Sequence, residues 1–383
     1  MSEFDALEKL LAGRQAPQPQ QVQAKREDSK RAAAVQVAQL VSEDDVELLS
    51  FLEETKPRIL VIGAGGSGSN TITRMNEVGI AGTTLVAMNT DAQHLLKTRA
   101  EKKLLLGKKR TRGLGAGSVP KVGEDAAGES KEEIKKFVDG KDLVFITCGL
   151  GGGTGTGSAH VIAEAAKAAG ALVVSVVTMP FTSEGPQRAK NAAEGLEKLK
   201  AFSDTTISIP NDRLLTYVPD LPLNAAFKAA DMVLANAVKG IAELVTKPGL
   251  VNLDFADLRT VLGGSGSAVI GLGEAEGGET SQRFIDAAEK ALSSPLVDCD
   301  LGEVQKALVY VTGGQDLTLG AAEAVVQNIS SKISKDCHVI WGASVEDAFE
   351  NKASVLAVLA GVKERKSEED ELKEYLDLDF INS

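Results

Sequence analysis

Aromatic residues are scarce in this chain. Phe, Trp and Tyr together make up 4% of it, with a single Trp, so the stacking platforms on which single-stranded nucleic acids lie are missing. Positive charge is also in deficit: the formal net charge is −12. A DNA or RNA binder needs a basic surface, and no nucleic-acid partner is expected. The three cysteines, Cys148, Cys299 and Cys337, are odd in number and far apart, which excludes a disulfide framework and a C-x-x-C metal pattern. Three histidines (His94, His160 and His338) give no His-rich zinc site, and no side chain is assigned as a metal ligand. No apolar run is long enough to cross a bilayer and the N-terminus lacks a signal-peptide pattern. Direct membrane insertion is therefore not expected, and a cytoplasmic protein is.

What remains is an ordinary globular composition, 43% hydrophobic and 25% charged over 383 residues, with room for two or three domains. One stretch organises it. Cys148 to Ala159 reads C-G-L-G-G-G-T-G-T-G-S-A, entered from the apolar run Asp142 to Thr147 and left through the helix-like run Ala159 to Ala169. A buried strand, a loop of small residues and a helix N-terminus make an anion cradle, because backbone N–H groups and the helix dipole both face the loop. It is not a Walker A loop, since no G-K-[ST] follows. The alternative is a flexible glycine linker, which the flanking strand and helix signals disfavour.

Two further glycine loops precede it. Arg58 to Ile62 opens into G-A-G-G-S-G-S-N, Gly63 to Asn70, with Thr71 to Gly79 following as helix. Gly63, Gly65 and Gly68 satisfy G-x-G-x-x-G, so a nicotinamide- or flavin-dependent enzyme is a rival reading. The strand Thr83 to Met88 ends in Asn89, Thr90 and Asp91, where a sugar or phosphates could lie; Asp91 binds a ribose or caps the next helix. The strand Lys103 to Leu106 is followed by the loop Gly113 to Ser118 (G-L-G-A-G-S), whose plainer reading is a surface turn with a basic flank. Parallel sheets gather such loops at the carboxyl ends of their strands. A dinucleotide needs one phosphate loop, whereas three converging loops suit a nucleoside triphosphate.

Leu172 to Thr178 is a fifth strand. Glu184 and Arg188, one helical turn apart on a helix running to Phe202, are a surface ion pair or hold a ribose and phosphate. Thr206 to Ile209 is a sixth strand ending at Asn211, whose amide has the donor and acceptor needed to read a base edge. On the long helix Leu223 to Leu244, Phe227 and Asp231 share a face. A ring to stack and a carboxylate to accept from N1–H and the 2-amino group suit guanine and not adenine; core packing is the other reading of Phe227. Asn252, Asp254 and Asp257 follow, either capping a helix or forming a metal or water-activating site. Ser267 to Gly273, Lys306 to Thr312, His338 to Ala343 and Leu356 to Val362 read as strands, and Thr280 to Leu292, Leu319 to Ile333 and Val345 to Glu350 as helices. The acidic end from Lys363 closes on the apolar hook Leu376 to Ile381, which either folds on a partner or frays.

With these residues in hand the chain resembles the tubulin/FtsZ superfamily. The motifs that carry the likeness are G-G-G-T-G-T-G-S-A at Gly151 to Ala159, M-N-T-D-A-Q at Met88 to Gln93 and T-R-G-L-G-A-G at Thr111 to Gly117. Pro180 to Arg188 (P-F-x-x-E-G-x-x-R), Ile209 to Asn211 (I-P-N) and Asn252 to Asp257 (N-x-D-F-A-D) add to them. The likeness runs from about Arg58 to Val362.

The resemblance implies a Rossmann-like parallel-sheet GTPase domain, a long central helix and a second α/β domain with a mixed sheet. The division expected is a flexible tail over 1–37, the GTP-binding domain with a helical extension over 38–222, the central helix over 223–250, the C-terminal domain over 251–362, and an acidic tail over 363–383. It implies a GTP-hydrolysing cytoskeletal protein that polymerises head to tail and forms the cell division ring at mid-cell. Carried over, Gly65, Gly66, Ser67, Gly68, Ser69 and Asn70 line the nucleotide, with Asn70 near the base. Asn89 and Asp91 join them, Gly115, Ala116 and Gly117 approach the γ-phosphate, and Gly151, Gly152, Gly153, Thr154, Gly155 and Thr156 hold the other phosphates. Glu184 and Arg188 hold the ribose side, Asn211 and Asp231 read guanine, and Phe227 stacks on it. Asp254 and Asp257, with Asn252, project into the GTP site of the next subunit and position the attacking water, helped by Mg²⁺. Ser67 and Ser69 stand where the family often has Gly, Ala or Asn. The terminal hook, Leu376 to Ile381, looks like the family's tail that engages a membrane-tethering partner.

Overall fold

The computed structural model describes residues 56–215, 223–247, 250–251 and 253–362. The expected tail over 1–37, the helix over Ala38 to Glu54, Asn252 and the terminal hook lie outside the described residues.

Six strands form the first part of the sheet: β1 (Ile59–Ala64), β2 (Thr83–Asn89), β3 (Lys102–Leu105), β4 (Leu143–Gly149), β5 (Leu172–Met179) and β6 (Thr205–Pro210). Their order is β3-β2-β1-β4-β5-β6 and every pairing is parallel. A strand buried on both faces needs apolar side chains throughout. β1, with I-L-V-I-G-A, is buried at all six positions, and β4 at six of seven. Helices cover the faces: α1 (Gly65–Val78), α2 (Ala92–Lys97), the single turn α3 (Lys108–Thr111), α4 (Pro120–Glu129), α5 (Lys131–Val138), α6 (Thr154–Ala168), α7 (Pro186–Phe202) and α8 (Asn211–Leu215). A long helix, α9 (Leu223–Thr246), follows, and its Leu234, Val238 and Ile241 enter the core beneath β1, β4 and β5.

The second part comprises α10 (Phe255–Leu262), β7 (Gly266–Glu276), α11 (Thr280–Leu292), β8 (Lys306–Gly313), α12 (Leu319–Lys332), β9 (His338–Val345) and β10 (Lys352–Ala360). Its strands are mixed: β10 is antiparallel to β7 and β8, while β8 and β9 run parallel. They have their own core around Phe284, Val309 and Val325. The two parts share one ten-stranded sheet, because β7 lies parallel to β6 through Thr205↔Gly266, Thr206↔Ser267 and Ile207↔Ala268.

Several sequence expectations shift. Helix α1 starts at Gly65 and not at Thr71, and α6 at Thr154 and not at Ala159, so much of each glycine loop is already the first turn of a helix. Helices α4 and α5 fill a stretch where no helix is expected. The expected helix Val345 to Glu350 is the end of β9 followed by a short 3₁₀ turn, Asp347–Phe349.

Candidate functional site

In an open parallel sheet, ligands bind outside the carboxyl ends of the strands where the order reverses. Here β1 is flanked by β2 and β4, so the reversal falls between β1 and β4. The segments following those strands are the first and the last of the three glycine loops. They touch: Gly65 sits at φ +73°, and a Cβ on it would lie 2.7 Å from the Gly155 nitrogen. The middle loop closes against the last, since a Cβ on Gly153 would fall 2.8 Å from that of Ala116. Helix α4, which follows the middle loop, is pressed onto α6, where a Cβ on Gly157 would overlap the Pro120 carbonyl oxygen.

The middle loop is also pinned from below. The Gly115 N–H donates to the Thr90 carbonyl at 3.1 Å and the Ala92 N–H to the Gly113 carbonyl at 3.0 Å. The last loop is held by Thr156, whose hydroxyl accepts from the Gly151 N–H at 2.9 Å, and by Asn191, which donates to the Gly151 carbonyl at 3.4 Å. The result is a preset wall of backbone with little side chain in front of it.

That wall suits an anion. Neither α1 nor α6 carries an acidic residue in its first turn, and neither has a side-chain N-cap. Their first N–H groups are therefore left for an outside acceptor, with the positive ends of two helix dipoles behind them.

The three side chains expected at the base sit on α8 and α9. Asn211 is 5% exposed at the end of β6, and its Oδ1 has no hydrogen-bond partner; an unpaired buried acceptor costs about 1–3 kcal/mol unless a ligand supplies a donor. Asp231 accepts from the Thr71 hydroxyl at 3.3 Å, and burial pushes its carboxyl up to about 7, against the lowering pull of Thr71 and Arg74. Phe227 keeps 39% of its surface exposed and meets the buried Phe181 edge-to-face, centroids 5.3 Å apart. The ring is thus braced from one side and open on another.

The remaining expected residues divide. Gly66 and Asn70 are exposed and Ser67 half-buried, while Ser69 is fully buried with its hydroxyl unpartnered. Gly152 is open, with no atom near enough to touch a Cβ, and so is Gly117. Asn89 is committed inside the fold, paired with His94 at 3.2 Å and accepting from the Asp91 N–H at 3.2 Å. Asp91 caps α2 by accepting from the His94 N–H at 2.9 Å, which is the structural one of its two readings. Glu184 is paired with Arg188 and accepts from the Phe181 N–H at 2.9 Å, so it also fixes the ring that braces Phe227. Sequence reasoning misses Thr71 and Phe181 and reads Thr90 only as a polar group where a sugar or phosphates could lie; their side-chain partners Asp231, Phe227 and Thr154 are distant in the chain.

Asp254 and Asp257 lie elsewhere. They form a reciprocal cap at the start of α10: the Asp257 N–H donates to Asp254 at 2.8 Å and the Asp254 N–H to Asp257 at 3.2 Å. Asp254 is exposed and Asp257 half-buried. Among the described residues, no group of three or more His, Cys, Asp or Glu is placed to hold a metal ion, and no helix is long and apolar enough to cross a membrane.

Comparison with known proteins agrees with this geometry. Residues 58–219 match the model of the tubulin/FtsZ family GTPase domain, and residues 266–363 that of the FtsZ family C-terminal domain. The cell division protein FtsZ 1 of Archaeoglobus fulgidus is 56% identical over 317 residues, covering 83% of this chain and 85% of that protein. FtsZ 1 of Methanocaldococcus jannaschii is 53% identical over 325 residues, covering 85% and 88%. A solved structure from M. jannaschii, described as an empty FtsZ dimer, superposes with a TM-score of 0.79 at 51% identity, covering 86% of this chain and 98% of that one. The chain therefore belongs to the FtsZ family of the tubulin/FtsZ GTPases.

Proposed function

We propose that this GTPase holds guanine nucleotide in the cradle between β1 and β4, assembles head to tail, and completes each site with Asp254 and Asp257 of the adjacent copy. The observation that carries the reading is the length of α9. Asp231 stands near its N-terminal end, while Asp254 lies beyond its C-terminal end at Thr246. At 1.5 Å per residue, the helix carries the chain about 22 Å from Asp231 to its end at Thr246. On this reading a copy's own carboxylates stay away from its own phosphates, and stacking copies along this axis supplies them from the neighbour. The solved dimer of the M. jannaschii relative supports self-association.

Each residue then has a task. Asn211 and Asp231 take the guanine edge, Phe227 the ring face, and Glu184 with Arg188 the ribose side. The first turns of α1 and α6 and the loop Gly115 to Gly117 take the phosphates. The neighbour's carboxylates orient water for in-line attack, which suffices because phosphoryl transfer depends mainly on positioning and charge stabilisation. Mg²⁺ would travel with the triphosphate and neutralise charge there, with no side-chain ligand assigned. The division of the folded chain at 223 and 251, with α9 between, follows from this use of the helix. We further infer action at the mid-cell division ring, with Leu376 to Ile381 docking a membrane-tethering division protein.

Phosphate release per chain, measured against protein concentration, tests the reading. Turnover should appear above a threshold concentration, and Asp257→Ala should keep GTP binding while losing turnover. Release proportional to concentration down to the most dilute samples would contradict it.

A further inference from the structure

Thr90 lies outside every glycine loop and is fully buried, 0% exposed, just beyond β2. Its hydroxyl is 2.6 Å from that of Thr154, the first residue of α6. Its carbonyl accepts from the Gly115 N–H at 3.1 Å and from the Thr111 hydroxyl at 3.4 Å. One residue thus joins the middle loop, through its backbone, to the first turn of the last loop, through its side chain.

The direction of the hydroxyl pair follows from counting protons. Among the described residues, Thr154 is the only partner of the Thr90 hydroxyl. If Thr154 donated, the Thr90 proton would be buried with no acceptor, at a cost of the kind that native interiors avoid. If Thr90 donates, its own group is satisfied. Thr154, which is half-buried, then accepts and keeps its proton for a group outside the fold. A hydroxyl has one proton to give, so the pair fixes where the Thr154 proton points.

We infer that Thr90 is a positioning residue for GTP: its hydroxyl donates to Thr154 and so presets the Thr154 O–H as a phosphate donor, while its carbonyl holds the middle loop in register with that donor. The inference rests on the nucleotide reading given above. Thr90 itself touches no ligand, and its effect passes entirely through Thr154. Preorganised donors are worth more than free ones because no reorientation is needed when the charge arrives.

The test uses the full chain at concentrations below assembly, with GTP and guanosine as probes in equilibrium titrations. Thr90→Val keeps the shape and the backbone bonds but removes the donor. It should weaken GTP about five- to tenfold, the scale of a hydrogen bond to a charged acceptor, and leave guanosine unchanged. Thr90→Ser should restore GTP binding to within about twofold. Thr154→Val should weaken GTP at least as much, and the double variant no further, since Thr90 acts only through Thr154. Losses that multiply in the double variant, or an equal loss of guanosine affinity in Thr90→Val, would overturn the inference and mark Thr90 as merely structural. If Thr154→Val binds GTP as the wild type does, the phosphate reading of α6 fails and this inference with it. If Thr154→Val is impaired and Thr90→Val is not, only the inference fails.

Discussion

Asp231→Asn separates fold stability from nucleotide recognition at a single carboxyl group. Burial raises Asp231 from 3.8 to about 7. The nucleotide-free native state therefore holds a proton that the unfolded chain has already released. Such a group costs stability as pH rises from the unfolded value through the folded one, and the loss is complete above about pH 7. From 3.8 to about 7, at about 1.4 kcal/mol per pKa unit, the ceiling on that loss is about 4 kcal/mol. The neutral amide removes it. Nucleotide-free Asp231→Asn should melt higher than wild type near pH 8 and close to it near pH 4. GTP affinity moves in the opposite direction. The guanine donors pair with the ionised carboxylate, so wild-type affinity should fall about tenfold for each pH unit below about 7 and level off above it. In the Asn variant affinity should be weaker by about tenfold or more above pH 7, and flat with pH. Thermal unfolding and GTP titration across this range, below the assembly threshold, read both effects. A variant that melts lower than wild type near pH 8, or wild-type affinity that stays flat between about pH 6 and 8, would refute the reasoning.

Two other substitutions address the scaffold. Gly157→Ala forces a Cβ into the Pro120 carbonyl. The strain of about 1–3 kcal/mol should outweigh the roughly 1 kcal/mol gained in helix propensity, lowering the urea midpoint and weakening GTP together. Asp254→Ala removes the cap donated to by the Asp257 N–H. It should cost about 1 kcal/mol of stability by denaturant titration while leaving GTP affinity unchanged and turnover lost.

The strand–loop–helix order was legible because buried parallel strands are continuous apolar runs. Glycine loops also advertise close backbone approach, as at Gly65 against Gly155. The same glycines concealed where α1 and α6 begin, since a residue type that disfavours helices reads as loop until its packing is known. Helix α4 was hidden similarly: Gly123 and Gly128 interrupt its pattern, yet Gly123 is where α4 meets the Gly153 backbone. Continuity of the sheet across β6 and β7 was not legible, because only three residue pairs make it. Nor were the long-range bonds of Thr71 and Thr90. Their partners Asp231 and Thr154 lie 160 and 64 positions away, beyond any local pattern. Asp254 and Asp257 read equally as cap or catalyst, and the geometry makes them a cap without removing the second use, since both remain accessible.

The central claim is that one copy binds and the next completes the site, and a mixing experiment tests it most directly. Asp257→Ala retains the nucleotide side and lacks the completing carboxylate; Asp231→Asn retains the carboxylates and lacks tight nucleotide binding. Mixed in equal amounts above the assembly threshold, they should release phosphate well above the sum of the two measured apart, because about a quarter of the junctions pair an intact cradle with an intact loop when the two copies assemble at random. A mixture that releases no more than that sum would contradict the account.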